Sequence, residues 1–326
     1  MIATLLSTGL RATLLALALC GPAMATPTSD ADGSDGACLP LWPGGLAPGD
    51  ERLPEPLRIV ERSHDPRLPD RYAERISEPC MTVHRPARPS GVALLVMPGG
   101  GYQRVVLDKE GSALLPAFVD QGGTTLFVLR YRLPGEGHRD RDAALADAQR
   151  ALRLIRAGAG RWGIDPRRVG TMGFSAGGHL AARLGTGFAR QLHPPLDAAD
   201  RLDARPDFQL LVYPVIDLEG PDAHPGSRRQ LLGDDPPIDD VRRYSMQNNV
   251  ESSTPPTFLL HAQDDAAVPV GNSLLFYQAL QRAGVPAQMH LFPRGGHGFG
   301  VRGTAGLTVA AWPRLALDWI HALPME

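Results

Sequence analysis

The stretch Val169-Gly170-Thr171-Met172-Gly173-Phe174-Ser175-Ala176-Gly177-Gly178-His179 restricts the fold more than any other part of the chain. An apolar run ends in Gly-Phe-Ser-Ala-Gly, and an alanine-rich helical pattern begins at once. The spacing predicts a strand over 169–174, a sharp turn at Ser175 and a helix over 176–184. Gly173 and Gly177 suit such a turn, because a Cβ at either place would collide with the neighbouring strand and helix. The turn lifts the serine hydroxyl clear of a sheet and aims the first N–H groups of the helix at whatever the hydroxyl meets. A serine between glycines is common in ordinary loops. The strand before it and the helix after it give the motif its content.

From Gly91 onward the same alternation continues. Strands are predicted over 92–97, 124–130, 208–212, 257–261 and 287–292. Helices are predicted over 110–120, 142–156, 273–283 and 307–322, the last with Pro313 near its start or bending it. In the second of these helices Leu145, Ala148, Leu152 and Ile155 recur at spacings of three and four. Strands that alternate with helices require an α/β fold: a mostly parallel, doubly wound sheet with flanking helices. Upstream, residues 38–90 are rich in proline and arginine, with strand-like pieces over 57–60 and 81–84. Between Asp217 and Ser253 the periodicity disappears and Pro, Asp, Arg and Asn dominate. An insertion over 218–253 follows the carboxyl end of a strand, where open α/β sheets place their ligands, so a lid or substrate-binding loop is expected there. No repeat or linker divides the region, and 38–326 reads as one domain.

The first 25 residues read as an export leader. Arg11 precedes the apolar run from Ala12 to Cys20, and Ala23-Met24-Ala25 supplies small residues for cleavage after Ala25. A secreted or periplasmic location follows, with a disordered lead-in over 26–37. The apolar run is too short to span a bilayer as a mature helix, so no stable membrane insertion is expected after cleavage. Losing the leader removes Cys20 and leaves Cys38 and Cys80, which in an oxidising compartment form one disulfide or remain two buried thiols; both stay open. No Cys-His cluster has metal-ligand spacing. A net charge of −2 lacks the basic excess of a nucleic-acid binder.

A serine hydroxyl is a poor nucleophile near neutral pH; it needs a base, and the base needs an acid to orient it. After the strand at 257–261 comes Ala262-Gln263-Asp264-Asp265-Ala266-Ala267-Val268-Pro269, and after the strand at 287–292 comes Pro293-Arg294-Gly295-Gly296-His297-Gly298-Phe299. Serine, aspartate and histidine thus follow one another in the α/β-hydrolase order, each just past a strand's carboxyl end. Ser175, Asp265 and His297 are the candidate catalytic residues. Asp265 is favoured over Asp264 by its Asp-x-x-Val-Pro spacing; Asp264 then serves as a loop residue or cap. Oxyanion donors are expected from the Ala176 N–H and from Gly100 or Gly101 in Pro98-Gly99-Gly100-Gly101-Tyr102, a variant of the His-Gly-Gly-Gly loop with proline in the histidine's place. Tyr102 and Phe174, next to these turns, are the candidate substrate-binding side chains.

Gly-Phe-Ser-Ala-Gly-Gly-His-Leu-Ala, together with Trp162-Gly163-Ile164-Asp165-Pro166, His261-Ala262-x-Asp-Asp, Gly295-Gly296-His297-Gly298-Phe299 and the opening Leu41-Trp42-Pro43-Gly44-Gly45, resembles the acetylxylan-esterase-like (BD-FAE-like) branch of the α/β-hydrolases. The likeness runs from about residue 39 to the C-terminus. It implies a secreted carboxylesterase that removes acetyl groups from plant polysaccharides such as acetylated xylan, with no cofactor. Two other readings are a prolyl-peptidase-like or amidase activity on the same scaffold, and a non-catalytic carbohydrate-binding protein. Residues 26–90 are too short for the β-propeller that prolyl-peptidase relatives usually append. Non-catalytic relatives normally lose a triad member, and all three are present.

Several other residues are weighed as bystanders. Gly158-Ala159-Gly160-Arg161-Trp162-Gly163 matches a dinucleotide-binding string but follows a helix, so it reads as a loop. His179 and His261 read as structural histidines. Trp42 and Trp312 are the better candidates for stacking on a sugar ring, and Asp217 either shapes the pocket or caps a turn.

Overall fold

Continuous apolar runs rich in Val, Leu and Phe can bury both faces of a strand, and in this chain they do. The computed structural model describes residues 36–138 and 140–324, together with Met1 and Ile2. The expected leader beyond Ile2, and the lead-in except its last two residues, lie outside the described residues. Among the described residues there are eleven strands: β1 (Cys38–Pro40), β2 (Arg58–Glu61), β3 (Arg71–Glu74), β4 (Cys80–His84), β5 (Ala93–Met97), β6 (Val105–Val106), β7 (Thr125–Arg130), β8 (Val169–Phe174), β9 (Gln209–Val212), β10 (Thr257–Ala262) and β11 (Ala287–Phe292).

Eight of them form one sheet in the order β1-β4-β7-β5-β8-β9-β10-β11. From β7 to β11 every neighbour is parallel; β1 and β4 join antiparallel at one edge. The expected mostly parallel, doubly wound sheet with flanking helices is what the chain forms. Residues on one face of the strands pack with helices Ala143–Ala157, Ser175–Gly187 and Gly271–Arg282. The other face packs with Trp312–Ala322 and the irregular turns near Phe118. Pro313 lies in the first turn of its helix, where its missing N–H leaves no bond unmade. The helix expected over 110–120 is instead a short 3₁₀ turn, Ser112–Leu114, and a wide π turn, Pro116–Gln121. Pro116 cannot donate in a regular ladder and displaces the bonding pattern there.

No strand pattern in the sequence marks β3 or β6, which with β2 make a second, three-stranded antiparallel sheet. The segment after Asp217 also differs from an irregular loop. It holds helices Pro225–Leu232 and Ile238–Arg243, and Leu231, Val241, Tyr244 and Met246 are buried. Helices of two turns with one to three buried residues carry too little periodicity to be read from a pattern.

The N-terminal arm is tied down by chemistry. Trp42 donates its indole N–H to Asp147 Oδ1 at 2.8 Å, and Arg150 Nε donates to the Leu41 carbonyl at 2.9 Å. Cys38 and Cys80 are disulfide-bonded, with their Cα atoms 5.5 Å apart, across the antiparallel β1–β4 ladder. Cys80→Ser is therefore expected to lower unfolding free energy by about 2–4 kcal/mol, because it frees a long loop in the unfolded chain. Urea midpoints of the two proteins under oxidising conditions measure this, and coincident curves would show the bond to be energetically idle.

Candidate active site

At the carboxyl end of β8 the chain reverses so sharply that Ser175 has φ +52°. L-residues rarely adopt this conformation, and the cost is tolerated because the surroundings leave no alternative. A Cβ on Gly173 would stand 2.3 Å from the Gly177 carbonyl oxygen. One on Gly177 would stand 2.0 Å from that of Met97 and 2.4 Å from that of Pro98. Both glycines are thus required by close approach, as their spacing in the sequence implies.

Two loops from elsewhere meet this turn. Ser175 Oγ lies 2.9 Å from His297 Nε2, and His297 Nδ1 lies 2.7 Å from Asp265 Oδ2. Burial pushes the Asp265 carboxyl up, but bonds from His261, His297 and the Val268 N–H outweigh it and hold the group well below the usual carboxylate range. An ionised Asp265 fixes the proton of His297 on Nδ1 and leaves Nε2 free to accept from the serine hydroxyl. Asp265 Oδ1 takes the N–H groups of Ala267 and Val268, at 3.0 and 2.9 Å. Asp264 plays a separate part: its Oδ1 accepts the N–H groups of Gly295 and Gly296, at 2.9 and 2.7 Å, and shapes the turn that presents His297.

Gly100 and Gly101 line the same cleft of about 470 Å³ as Ser175 and His297. Gly100 has φ +131°, and a Cβ on it would stand 2.2 Å from the Arg104 carbonyl oxygen. Among the described residues, no hydrogen bond takes up the Gly100 or Gly101 N–H. Ala176 is in the first turn of its helix, whose leading N–H groups have no partner four residues back.

The two expected substrate-binding side chains are elsewhere. Tyr102 is 1 % exposed, and its hydroxyl bonds His179 Nδ1 at 2.8 Å. Phe174 is wholly buried against Tyr213 and Trp312. Each supports the turn beside it from within the core and cannot touch a ligand in the cleft. Neither tryptophan offers a sugar platform. Trp42 is spent on the N-terminal arm, and buried Trp312 donates its indole N–H to the Gly300 carbonyl behind the histidine loop. Asp217 caps a turn by accepting the N–H groups of Glu219 and Gly220. The Gly158–Gly163 string contains one helical turn, Ala159–Trp162, rather than a plain loop.

Glu110 and Tyr213 were not singled out by the sequence. Glu110 Oε2 accepts the Gly99 N–H at 2.7 Å, and Oε1 accepts the Tyr213 hydroxyl at 2.9 Å. The Tyr213 oxygen in turn accepts the Gly300 N–H at 3.1 Å, and its ring packs edge-on against His297, with centroids 5.1 Å apart. Burial raises the Glu110 pKa against the lowering effect of these bonds. One buried strut thus joins the glycine loop to the histidine loop. The only signal in the sequence was position: Glu110 follows the glycine loop and Tyr213 ends the strand next to β8.

His179 is buried and structural. Its Nε2 donates to the Tyr244 carbonyl at 2.8 Å, so its Nδ1 accepts from Tyr102. Burial, with the nearby Arg183 charge, lowers its pKa from 6.5 to about 3. A depressed value in the folded state means that the unfolded chain binds the extra proton between these limits. Stability therefore falls as pH drops from about 6.5 to about 3. The melting temperature of His179→Gln, lower at neutral pH, is expected to decline less steeply across that window than that of the parent. Parallel declines would remove His179 as the linked group.

A serine, an acid and a histidine on three loops at the carboxyl ends of parallel strands, in that order across the sheet, define an α/β-hydrolase. The BD-FAE family model matches residues 85–280, and the chain belongs to that family. It is 37% identical over 226 residues to an acetylxylan esterase of Xylanibacter ruminicola, covering 68% of this chain and 43% of the relative. It is 36% identical over 212 residues to endo-1,4-beta-xylanase B of Butyrivibrio fibrisolvens, covering 64% and 32%. The chain spans less than half the length of either relative. The crystal structure of an acetyl ester-xyloside bifunctional hydrolase from Caldicellulosiruptor lactoaceticus superposes with a TM-score of 0.71 at 36% identity, covering 88% of this chain and 96% of that one. These findings set the chain among the α/β-hydrolases, beside relatives named as esterases.

Proposed function

We propose that the protein is a serine carboxylesterase that removes acetyl groups from plant cell-wall polysaccharide such as acetylated xylan. The observation that carries this reading is the continuous chain Ser175–His297–Asp265, with an open cleft above the serine. Its relatives' names, acetylxylan esterase among them, supply the substrate class.

The geometry suits an acyl-enzyme route. His297 Nε2 takes the Ser175 proton as Oγ attacks the ester carbonyl. The N–H groups of Ala176 and of Gly100 or Gly101 receive the oxyanion, and donors of this kind are worth about 10²–10³ each in rate. His297 then passes the proton to the departing sugar oxygen as the C–O bond breaks. Water repeats the sequence on the acetyl-serine, and acetate leaves. Asp265 keeps the imidazole in the required tautomer throughout.

The test is acetate release from acetylated xylan, glucomannan, pectin and small acyl esters, run beside labelling by a fluorophosphonate probe. Labelling of Ser175 with acetate released from xylan supports the reading; no release from any acetylated glycan overturns the substrate class. Export belongs to the same proposal, supported by the leader motif over 1–25 and by a disulfide that suits an oxidising compartment. A mature chain beginning at Thr26 in the extracellular or periplasmic fraction is the expected result, and a cytosolic full-length chain the opposing one. Among the described residues no helix is long and apolar enough to cross a membrane.

A further inference from the structure

The cleft above Ser175 has an excess of positive charge that the ester chemistry itself does not use. Arg62, Arg104 and Lys109 line it. Arg62 is satisfied by Asp70 at 2.7 Å. Arg104 and Lys109 are half-buried; among the described residues neither has a carboxylate at ion-pair distance, and Lys109 acts on Glu110 only through its charge. Among the described residues the one carboxylate lining the cleft is Glu110, whose two oxygens are taken by Gly99 and Tyr213 and whose pKa burial raises. His224, the remaining titratable neighbour besides His297, accepts the Ser227 N–H on Nδ1 at 3.0 Å. Burial and the nearby His297 lower its pKa, so it brings a neutral N–H donor rather than a charge.

Of these two cations, Arg104 is held in place. Arg104 packs its guanidinium over Tyr72 of β3, 4.9 Å from the ring centre, just before β6. Its stem borders the glycine loop, since a Cβ on Gly100 would stand 2.6 Å from Arg104 Cγ. The Lys109 ammonium nitrogen lies beside the histidine loop, 3.9 Å from where a Cβ on Gly298 would be. Half-desolvated cations with no carboxylate at ion-pair distance favour an anion in the space between them, and guanidinium and ammonium groups both bind carboxylates through charge-assisted bonds.

From this arrangement we infer that the preferred substrate is an acylated saccharide carrying a uronate carboxylate, which Arg104 and Lys109 bind while the neighbouring ester is attacked. This inference rests on the esterase reading for its site but makes a separate claim about charge. A carboxylate on the acyl group, as in a half-ester of succinate, would meet the same cations, and the experiment separates the two sources.

The first arm compares kcat/KM for an acetylated xylo-oligosaccharide bearing one glucuronic acid branch with its neutral counterpart. At about 20 mM salt the charged substrate is expected to be favoured tenfold or more, falling to about twofold at 0.5 M as the charges are screened. Lys109→Gln and Arg104→Gln are each expected to reduce the charged-to-neutral ratio, measured within each variant. Equal ratios in parent and variants overturn the inference. The second arm compares p-nitrophenyl hydrogen succinate with p-nitrophenyl acetate; a preference confined to that pair overturns the uronate assignment. The third arm removes turnover from the question. Ser175→Ala is titrated calorimetrically with both oligosaccharides, and about tenfold tighter binding of the charged one supports the inference even if no acetate is ever released. Equal binding overturns it while leaving the esterase reading intact.

Discussion

Ser175→Ala is expected to lower p-nitrophenyl acetate turnover by about 10³-fold or more while the protein stays folded. The substitution removes only Oγ, and alanine occupies the same strained turn, φ +52°, that serine already accepts. The neighbours that force the turn, the carbonyls of Met97, Pro98 and Gly177, are untouched. Oxyanion donors and bound-substrate positioning would remain, so a residual rate above water is part of the expectation. Turnover by purified enzyme and a melting curve of the same sample make the measurement. A folded variant with near-parental turnover would take Ser175 out of the chemistry.

Asp265→Asn is expected to cost about 10³–10⁴-fold in kcat, and Asp264→Asn to leave kcat within about fivefold. The two positions are adjacent and chemically alike, so the contrast isolates geometry. An asparagine at 265 keeps an oxygen for the Ala267 and Val268 N–H groups, which preserves the loop. Its amide presents donors to His297 Nδ1, which then becomes the acceptor and moves the ring proton to Nε2. The base for Ser175 is lost. At 264 the side chain needs only one oxygen to hold the Gly295 and Gly296 N–H groups, and asparagine provides it. Similar losses at both positions would contradict the separate roles drawn here.

Much of this architecture was legible because it is local. A strand that must be buried on both faces is a largely apolar run, and β5, β8 and β10 begin or end within two residues of where those runs do. Ser175 was legible because its turn demands glycines at fixed spacing, and His297 because glycines surround it. The small sheet was not legible: β6 is two residues long, and β3 places an arginine and a glutamate at its ends. Tyr102 was misplaced for a related reason. Its neighbour Gly101 lines the cleft, but a φ of +60° at Tyr102 turns its side chain inward onto His179.

The sequence by itself determined the order of the parallel strands and of the long helices that flank them, the sharp turn at Ser175 and the three side chains worth bringing together, because each is written in a local pattern of apolar spacing and glycine. Tertiary structure alone decided that Cys38 meets Cys80, that Glu110 and Tyr213 brace the two active-site loops, and that Arg104 and Lys109 face the cleft. Those facts depend on segments far apart in the chain arriving at one place. Burial and charge there are properties of the assembled neighbours, and no window of sequence contains them.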